Sequence, residues 1–390
     1  MELYLMTPII DNQNNVTTPI LLNNFQAQWN MLRDVTLKAI DRVGKSGWYI
    51  LGDEGKAFEN DLAHYCQFPY AVGCASGLDA LEIALRCSGL KAGDKVLTTP
   101  LSAFATTLAI VKIGGIPIFV DVDDSGLVDL QLCQHILEQH SDIRYFVPVH
   151  LFGHALSYPQ LMQLKSQFHL KIIEDGAQAI GAKNTDKMIG SAADIISTSF
   201  YPTKNLGCMG DGGAVLMRDN EKYHLAKSLR DYGQTAKYEH SYLGMNSRLD
   251  EIQAAILRSV FLPHLPEFTR RRQYIAQYYL NNIHNPYIKI PSAPQGSESV
   301  WHLFPILIKQ NRCGLQKHLQ QFGIQSAVHY PFLITEQSAL LDQAIPFTIA
   351  TPLTKAKYFV DHELSLPIHP FLLDNDIERV VSACNSWQGD

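Results

Sequence analysis

Lys171-Ile172-Ile173-Glu174-Asp175-Gly176-Ala177-Gln178 is a short apolar run that ends on a carboxylate and a glycine turn. It reads as a strand buried on both faces, with Asp175 delivered at its carboxyl end. Working outward, Val96-Leu97-Thr98-Thr99, Ile116 to Val122, Tyr145 to Val149, Ile195 to Thr198 and Gly213 to Met217 read the same way. They show little alternation of polar and apolar residues, as expected of strands covered on both sides. Amphipathic segments separate them. In the one opened by Ser157, a candidate N-cap, Leu161, Leu164 and Phe168 share a helical face. This β-α alternation, from about residue 70 to 217, predicts an α/β fold with a mainly parallel sheet between helices. Ligands in such folds bind beyond the carboxyl ends of the strands, where Asp175, Gln178 and Ser199 fall.

After Met217 the texture changes. Residues 220–231 read as a helix, and a loop rich in Tyr, Gly and His follows. Leu249 to Leu262 reads as a helix ended by Pro263, and Arg270 to Ile283 as another. Trp301 to Ile308 is a strand candidate that opens a smaller α+β domain. Three units are expected: a polar arm over residues 1–17, a large domain over 18–265 and a small domain over 266–390. A chain of 390 residues, 46% hydrophobic, is long enough to bury two cores. Its formal net charge of -6 argues against a nucleic-acid partner, which needs a basic footprint. Seven cysteines without a Cys-x-x-Cys spacing suggest neither a disulfide framework nor a metal site, and so a reducing cytoplasm. No stretch is long and apolar enough to cross a bilayer, and the N-terminus, with Glu2 and Asp11, is unlike a signal peptide.

Chemistry concentrates around one lysine. Lys204 lies in Ser199-Phe200-Tyr201-Pro202-Thr203-Lys204-Asn205-Leu206-Gly207, followed by Gly210-Asp211-Gly212-Gly213. Aromatic and proline residues precede it, a glycine turn follows, and little charge competes nearby. With Asp175, this reads as a pyridoxal-phosphate (PLP) site. That cofactor needs an amine for its aldehyde, a carboxylate for its ring nitrogen and donors for its phosphate. Asp175 is the candidate carboxylate; a lone aspartate there would otherwise be a helix cap. Gln178 could reach the ring hydroxyl, and Phe104 could stack on the ring, though alone it would be core. Ala75-Ser76-Gly77-Leu78-Asp79 opens a helix on which Leu78, Leu81 and Leu85 share a face. A glycine there lets backbone N–H groups meet an anion. Taken alone, that turn is more readily a plain capped helix, and Ser199 a bland hydroxyl.

The ordered set of motifs resembles the nucleotide-sugar aminotransferases of the DegT/DnrJ/EryC1/StrS family. Besides Glu174-Asp175-Gly176-Ala177-Gln178, the run from Ser199 to Asn205 and Gly210-Asp211-Gly212-Gly213, the matching segments include Ser46-Gly47-Trp48-Tyr49-Ile50-Leu51-Gly52 and Val147-Pro148-Val149-His150-Leu151-Phe152-Gly153. Leu229-Arg230-Asp231-Tyr232-Gly233, Asn246-Ser247-Arg248-Leu249-Asp250-Glu251 and Leu364-Ser365-Leu366-Pro367 follow in order. The resemblance implies the aspartate-aminotransferase-like fold type I and a homodimer with shared active sites. It implies that Lys204 is the Schiff-base lysine, that Asp175 serves the ring nitrogen and that Gln178 serves the ring hydroxyl. Gly77, Leu78 and Ser199 fall to the phosphate, Asn246 reaches in from the partner subunit, and Phe104 stacks.

The resemblance further implies L-glutamate as donor and a keto sugar of a nucleotide as acceptor. The motifs look most like the branch acting at sugar C3, which makes dTDP-3-amino-3,6-dideoxyhexoses. Val328-His329-Tyr330-Pro331 matches a segment near the substrate, so His329 and Tyr330 are candidates there, with Tyr49, Tyr232 and Lys237. Read alone, His329 is as readily a satisfied loop histidine, and Lys237 a solvated side chain. Three departures bear on the sugar rather than the reaction: Leu78 in place of a threonine, Leu101-Ser102-Ala103 in place of a more polar run, and His154-Ala155-Leu156-Ser157. The alternatives are amination at C4 or C2 of another nucleotide sugar, and a PLP-binding regulator without turnover. A sugar dehydratase of the same fold would carry histidine at position 204. A Rossmann oxidoreductase lacks its glycine turn here.

Overall fold

The computed structural model describes residues 18–389, together with the backbone of Ile9–Ile10 and Val16–Thr17, which pair as a short antiparallel hairpin. The rest of the expected N-terminal arm lies outside the described residues. Two helices open the fold, α1 (Phe25–Ser46) and α2 (Asp53–Tyr65). Strand β1 (Tyr70–Cys74) runs into α3 (Gly77–Cys87). Then come β2 (Lys95–Thr98), α4 (Phe104–Lys112), β3 (Ile116–Phe119), β4 (Tyr145–Phe146), β5 (Lys171–Asp175), β6 (Ile195–Ser199) and β7 (Gly213–Met217). The C-terminal part contributes β8 (Ile288–Lys289), β9 (Phe304–Ile308), β10 (Thr348–Ile349) and β11 (Glu363–Leu366).

One large sheet has the order β10-β3-β2-β4-β5-β6-β7-β1. Every neighbouring pair is parallel except those of β7, which runs antiparallel to β6 and β1. The unbroken apolar runs follow from cover on both faces. Val96 and Ile173 join a core with α3, while their neighbours Leu97 and Ile172 join another with the helices Leu130–Gln139 and Tyr158–Phe168. Adjacent residues of one strand thus feed opposite layers.

A separate antiparallel sheet, β8-β9-β11, packs on the helices Leu262–Asn282, Arg312–Gln321 and Asp374–Ser386 around Tyr279, Phe304 and Leu364. The chain crosses between the two units more than once. Ile20 belongs to this second core, and β10 adds an edge to the large sheet.

One helix end differs from the sequence reading. The helix expected to stop at Pro263 continues: Glu251–Ile256 passes through a π-helical stretch, Leu257–Phe261, into Leu262–Asn282. A helical proline lacks the N–H for the carbonyl four residues back, and its ring crowds that carbonyl. The wider turn before Pro263 changes the pairing, so that the Leu262 N–H donates to the Leu257 carbonyl and the helix runs on. The expected strands at Ile116 and Tyr145 are shorter than read, and the one at Trp301 begins at Phe304. β1, not singled out in the sequence, closes the sheet beside β7.

Candidate active site

Sheet register assembles the site. Ser197 pairs with Asp175, Ser199 with Gly213, and Gly213 with Cys74, so one edge of the sheet carries Asp175, Ser199 and the turn into α3. There Ser76 caps α3, its hydroxyl accepting the Asp79 N–H at 3.1 Å. The first N–H groups of a helix have no acceptor within it, so those of Gly77 and Leu78 are available to an anion. Gly77 is required by close approach, since a Cβ there would sit 2.6 Å from the Ser199 Cβ. Gly77, Leu78 and Ser199 thus form a cup that offers hydrogen-bond donors to an anion. Ser247 braces it: its hydroxyl donates to Asp79 Oδ2 (2.7 Å) and accepts the Ala75 N–H (3.0 Å).

Asp175 is buried, and both its oxygens are held. Thr106 Oγ1 donates to Oδ2 at 2.8 Å and the Ala177 N–H to Oδ1 at 3.1 Å. Because the Thr106 proton is committed to Asp175, Ser102, 3.1 Å away, donates to Thr106. The sequence reading missed this relay, although both residues lie in the run around Phe104. The available signal was their spacing of four, one helical turn, at the start of α4. Phe104 is the first residue of α4 and packs, partly buried, towards Phe119 and Ile334.

Lys204 sits in a loop pinned at both ends. The Phe200 N–H donates to the Gly212 carbonyl, Cys208 N–H to Phe200, and Lys204 N–H to Tyr201, each at 2.8 Å. Gly207 is needed for this fold-back, because a Cβ there would meet the Pro202 carbonyl oxygen at 2.4 Å. Asn205 ties the loop to the start of the small sheet: its Nδ2 donates to the Val300 carbonyl (2.9 Å), and His302 Nδ1 donates to its Oδ1 (3.3 Å). Burial lowers the Lys204 amine to about 8, while the nearby Asp175 pulls the other way. His302 and His329 are held neutral first by their own burial and then by Lys204.

Gln178 accepts the Phe152 N–H on Oε1 (2.8 Å) and donates from Nε2 to Tyr330 Oη (3.1 Å). Its Nε2 carries a second proton besides the one given to Tyr330. The structure thus joins Lys204, Asp175, Gln178, His329 and Tyr330 in one electrostatic neighbourhood. It does not join Tyr49, Tyr232, Lys237 and Asn246 to them by any hydrogen bond or ion pair among the described residues. All four are exposed, Tyr232 lying against Arg248 and Lys237 against Tyr238. His302 and Glu363 escaped the sequence reading, and Ser365 stood in it only as part of a family motif. The signal for the last two was a polar residue at alternate positions of an otherwise apolar strand.

An amine brought near neutrality, a carboxylate locked by two donors and a glycine-floored anion cup suit pyridoxal phosphate in number and kind. The architecture is that of the fold type I enzymes that use it. Comparison with known proteins narrows the class. Residues 30–385 match the DegT/DnrJ/EryC1/StrS aminotransferase family, and the chain belongs to it. It is 38% identical to the dTDP-3-amino-3,4,6-trideoxy-alpha-D-glucose transaminase of Streptomyces venezuelae, over 93% of this chain and 95% of that one. It is also 38% identical to the dTDP-3-amino-3,6-dideoxy-alpha-D-galactopyranose transaminase of Aneurinibacillus thermoaerophilus, over 90% and 94%. Among solved structures, S. venezuelae DesV in complex with a ketimine intermediate superposes with a TM-score of 0.90, at 38% identity, covering 95% of this chain and 99% of DesV. The family and its solved members imply pyridoxal phosphate as cofactor.

Proposed function

We propose that this enzyme moves the amino group of L-glutamate to C3 of a dTDP-linked 3-keto-6-deoxyhexose, giving a dTDP-3-amino-3,6-dideoxyhexose and 2-oxoglutarate. The observation that carries this reading is the match, across nine-tenths of the chain, to two transaminases named for dTDP-3-amino sugars. The site geometry supports it.

Bound in the site, pyridoxal phosphate supplies an aldehyde that carries nitrogen and a ring that accepts electrons. Lys204 would hold that aldehyde, and its amine would move the proton at the α-carbon of glutamate and at C3 of the sugar. Asp175, anchored by Thr106 and Ala177, keeps the ring nitrogen protonated, an electrostatic contribution fixed before reaction. Gly77, Leu78 and Ser199 hold the phosphate, Gln178 the ring hydroxyl and Phe104 the ring face. His329 and Tyr330 meet the sugar. Trp48, Tyr49, Tyr232 and Tyr242 are large and exposed. We assign them to the contact face of a homodimer, with Asn246, Tyr49, Tyr232 and Lys237 completing the partner's site.

The test is product analysis. The holoenzyme with glutamate and dTDP-3-keto-6-deoxyhexose should yield 2-oxoglutarate and a sugar bearing nitrogen at C3 by mass and NMR. Lys204→Ala should fold but yield neither. Nitrogen at C4 or C2 would reject the C3 assignment. Absence of 2-oxoglutarate would reject the aminotransferase reading in favour of a PLP-binding regulator.

A further inference from the structure

Behind His329 lies a carboxyl that the reaction does not use. Glu363, on β11, is fully buried, as is Ser365 two residues on, on the same side of the strand. Among the described residues no cation is paired with the Glu363 carboxyl. Among the described residues the carboxyl has two hydrogen-bond partners: its Oε2 accepts the His329 backbone N–H at 2.6 Å, and its Oε1 lies 2.6 Å from Ser365 Oγ. Ser365 Oγ in turn lies 2.9 Å from His329 Nδ1. This gives an unbranched chain, carboxyl to hydroxyl to imidazole, ending beside Lys204.

We propose that Glu363 acts through the Ser365 hydroxyl to choose the tautomer of His329, and so decides whether His329 offers the sugar a hydrogen-bond donor or an acceptor. The sugar contact rests on the function proposed above; the relay does not.

The proton count is closed. The backbone N–H occupies Oε2, so a carboxyl proton sits on Oε1, facing Ser365. When Glu363 is protonated, it donates to Ser365 Oγ, the hydroxyl donates to His329 Nδ1, and the single ring proton is on Nε2, a donor. When Glu363 is ionised, the hydroxyl turns to donate to Oε1 and accepts from Nδ1–H, leaving Nε2 an acceptor. The net change is one proton lost from Glu363. His329 stays neutral, exchanging its Nε2 proton for one on Nδ1 through water. Three groups act electrostatically on or from Glu363. Arg312 donates to the Val360 and Glu363 backbone carbonyls, and His329 and Tyr330 lie on the facing segment. Burial, the largest influence, raises the Glu363 carboxyl to about 8, and burial holds His329 at about 4. Glu363 is therefore protonated below that pH and His329 a donor; above it His329 is an acceptor.

The experiment is long-range 1H–15N correlation NMR of the 15N-histidine-labelled holoenzyme, with His329 assigned from H329Q. The wild type should change from Nε2–H at about pH 6.5 to Nδ1–H at about pH 9.5. Glu363→Gln preserves both contacts, with its amide nitrogen always a donor to Ser365, and should stay Nε2–H throughout. Ser365→Ala should remove the pH-linked change without a carboxyl substitution. A wild-type tautomer constant over this range, or an E363Q that titrates like wild type, would overturn the relay. Kinetics test the sugar contact separately. KM for the keto sugar should change about threefold or more over the same interval in wild type and remain flat in E363Q. The reaction with glutamate should be alike in both. A tautomer change without a KM change would keep the relay and overturn the contact of His329 with sugar.

Discussion

At Lys204 two effects compete, and burial wins. Withdrawing the ammonium from water disfavours its charged form more than Asp175 restores it, bringing the amine from 10.5 to about 8. Only the neutral amine attacks an aldehyde. Capture of PLP by the cofactor-free enzyme should therefore rise about tenfold per unit from pH 6 towards 8 and level above it. Stopped-flow absorbance checks this, and a rate still climbing between pH 9 and 10 would mean that the amine is solvated. Asp175 shows a second lesson at this scale. Its position at a strand end was readable in Lys171–Asp175, but its donor Thr106, 69 residues away in sequence, was not. A hydroxyl can donate to any acceptor that packing brings near, so its partner is unmarked in the chain.

At the scale of elements, the decisive meeting is between the start of α3 and the end of β6. Each was legible separately: a glycine before an amphipathic helix, and a serine closing an apolar run. That they touch follows from the register Ser199–Gly213–Cys74. Gly77→Ala would place a methyl 2.6 Å from the Ser199 Cβ, forcing strand end and helix apart. Such overpacking costs about 1–3 kcal/mol. We expect PLP to bind roughly tenfold more weakly or worse, with helix content by circular dichroism unchanged. Unaltered affinity by titration would show that the cup has slack. Helix limits were the least readable feature. Pro263 is a stop signal by local rules, and only the π-helical stretch before it, packed against α1 and α2, lets the helix pass.

For the whole molecule, one buried ion pair joins three elements. Arg230, ending the helix Asn220–Arg230, donates to Glu59 of α2 and, at 2.7 Å, to the Gly73 carbonyl of β1; Glu59 also accepts the Gly73 N–H at 2.9 Å. Arg230→Met would strand Glu59 in the interior, at about 3–5 kcal/mol. Chemical denaturation should show that loss, and Glu59→Gln in the same chain should recover much of it. Equal stability of the single and double variants would show that Glu59 finds another partner. The sequence marked Arg230 only as part of a motif. Its worth comes from where three separate segments converge.

The sequence by itself determined what is local and periodic: the buried strand runs, the parallel α/β layering, the carboxylate at one strand end and the lysine in a glycine-flanked loop. Those follow from backbone period and from residues close along the chain. The family motifs added the cofactor and the class of reaction. Only the tertiary structure decided which distant groups meet: Thr106 with Asp175, Gln178 with Tyr330, and Glu363 and Ser365 with His329. The physical reason is that a hydrogen bond depends on distance and direction between two atoms. Packing of whole layers fixes both, and neither is written in the spacing of residues.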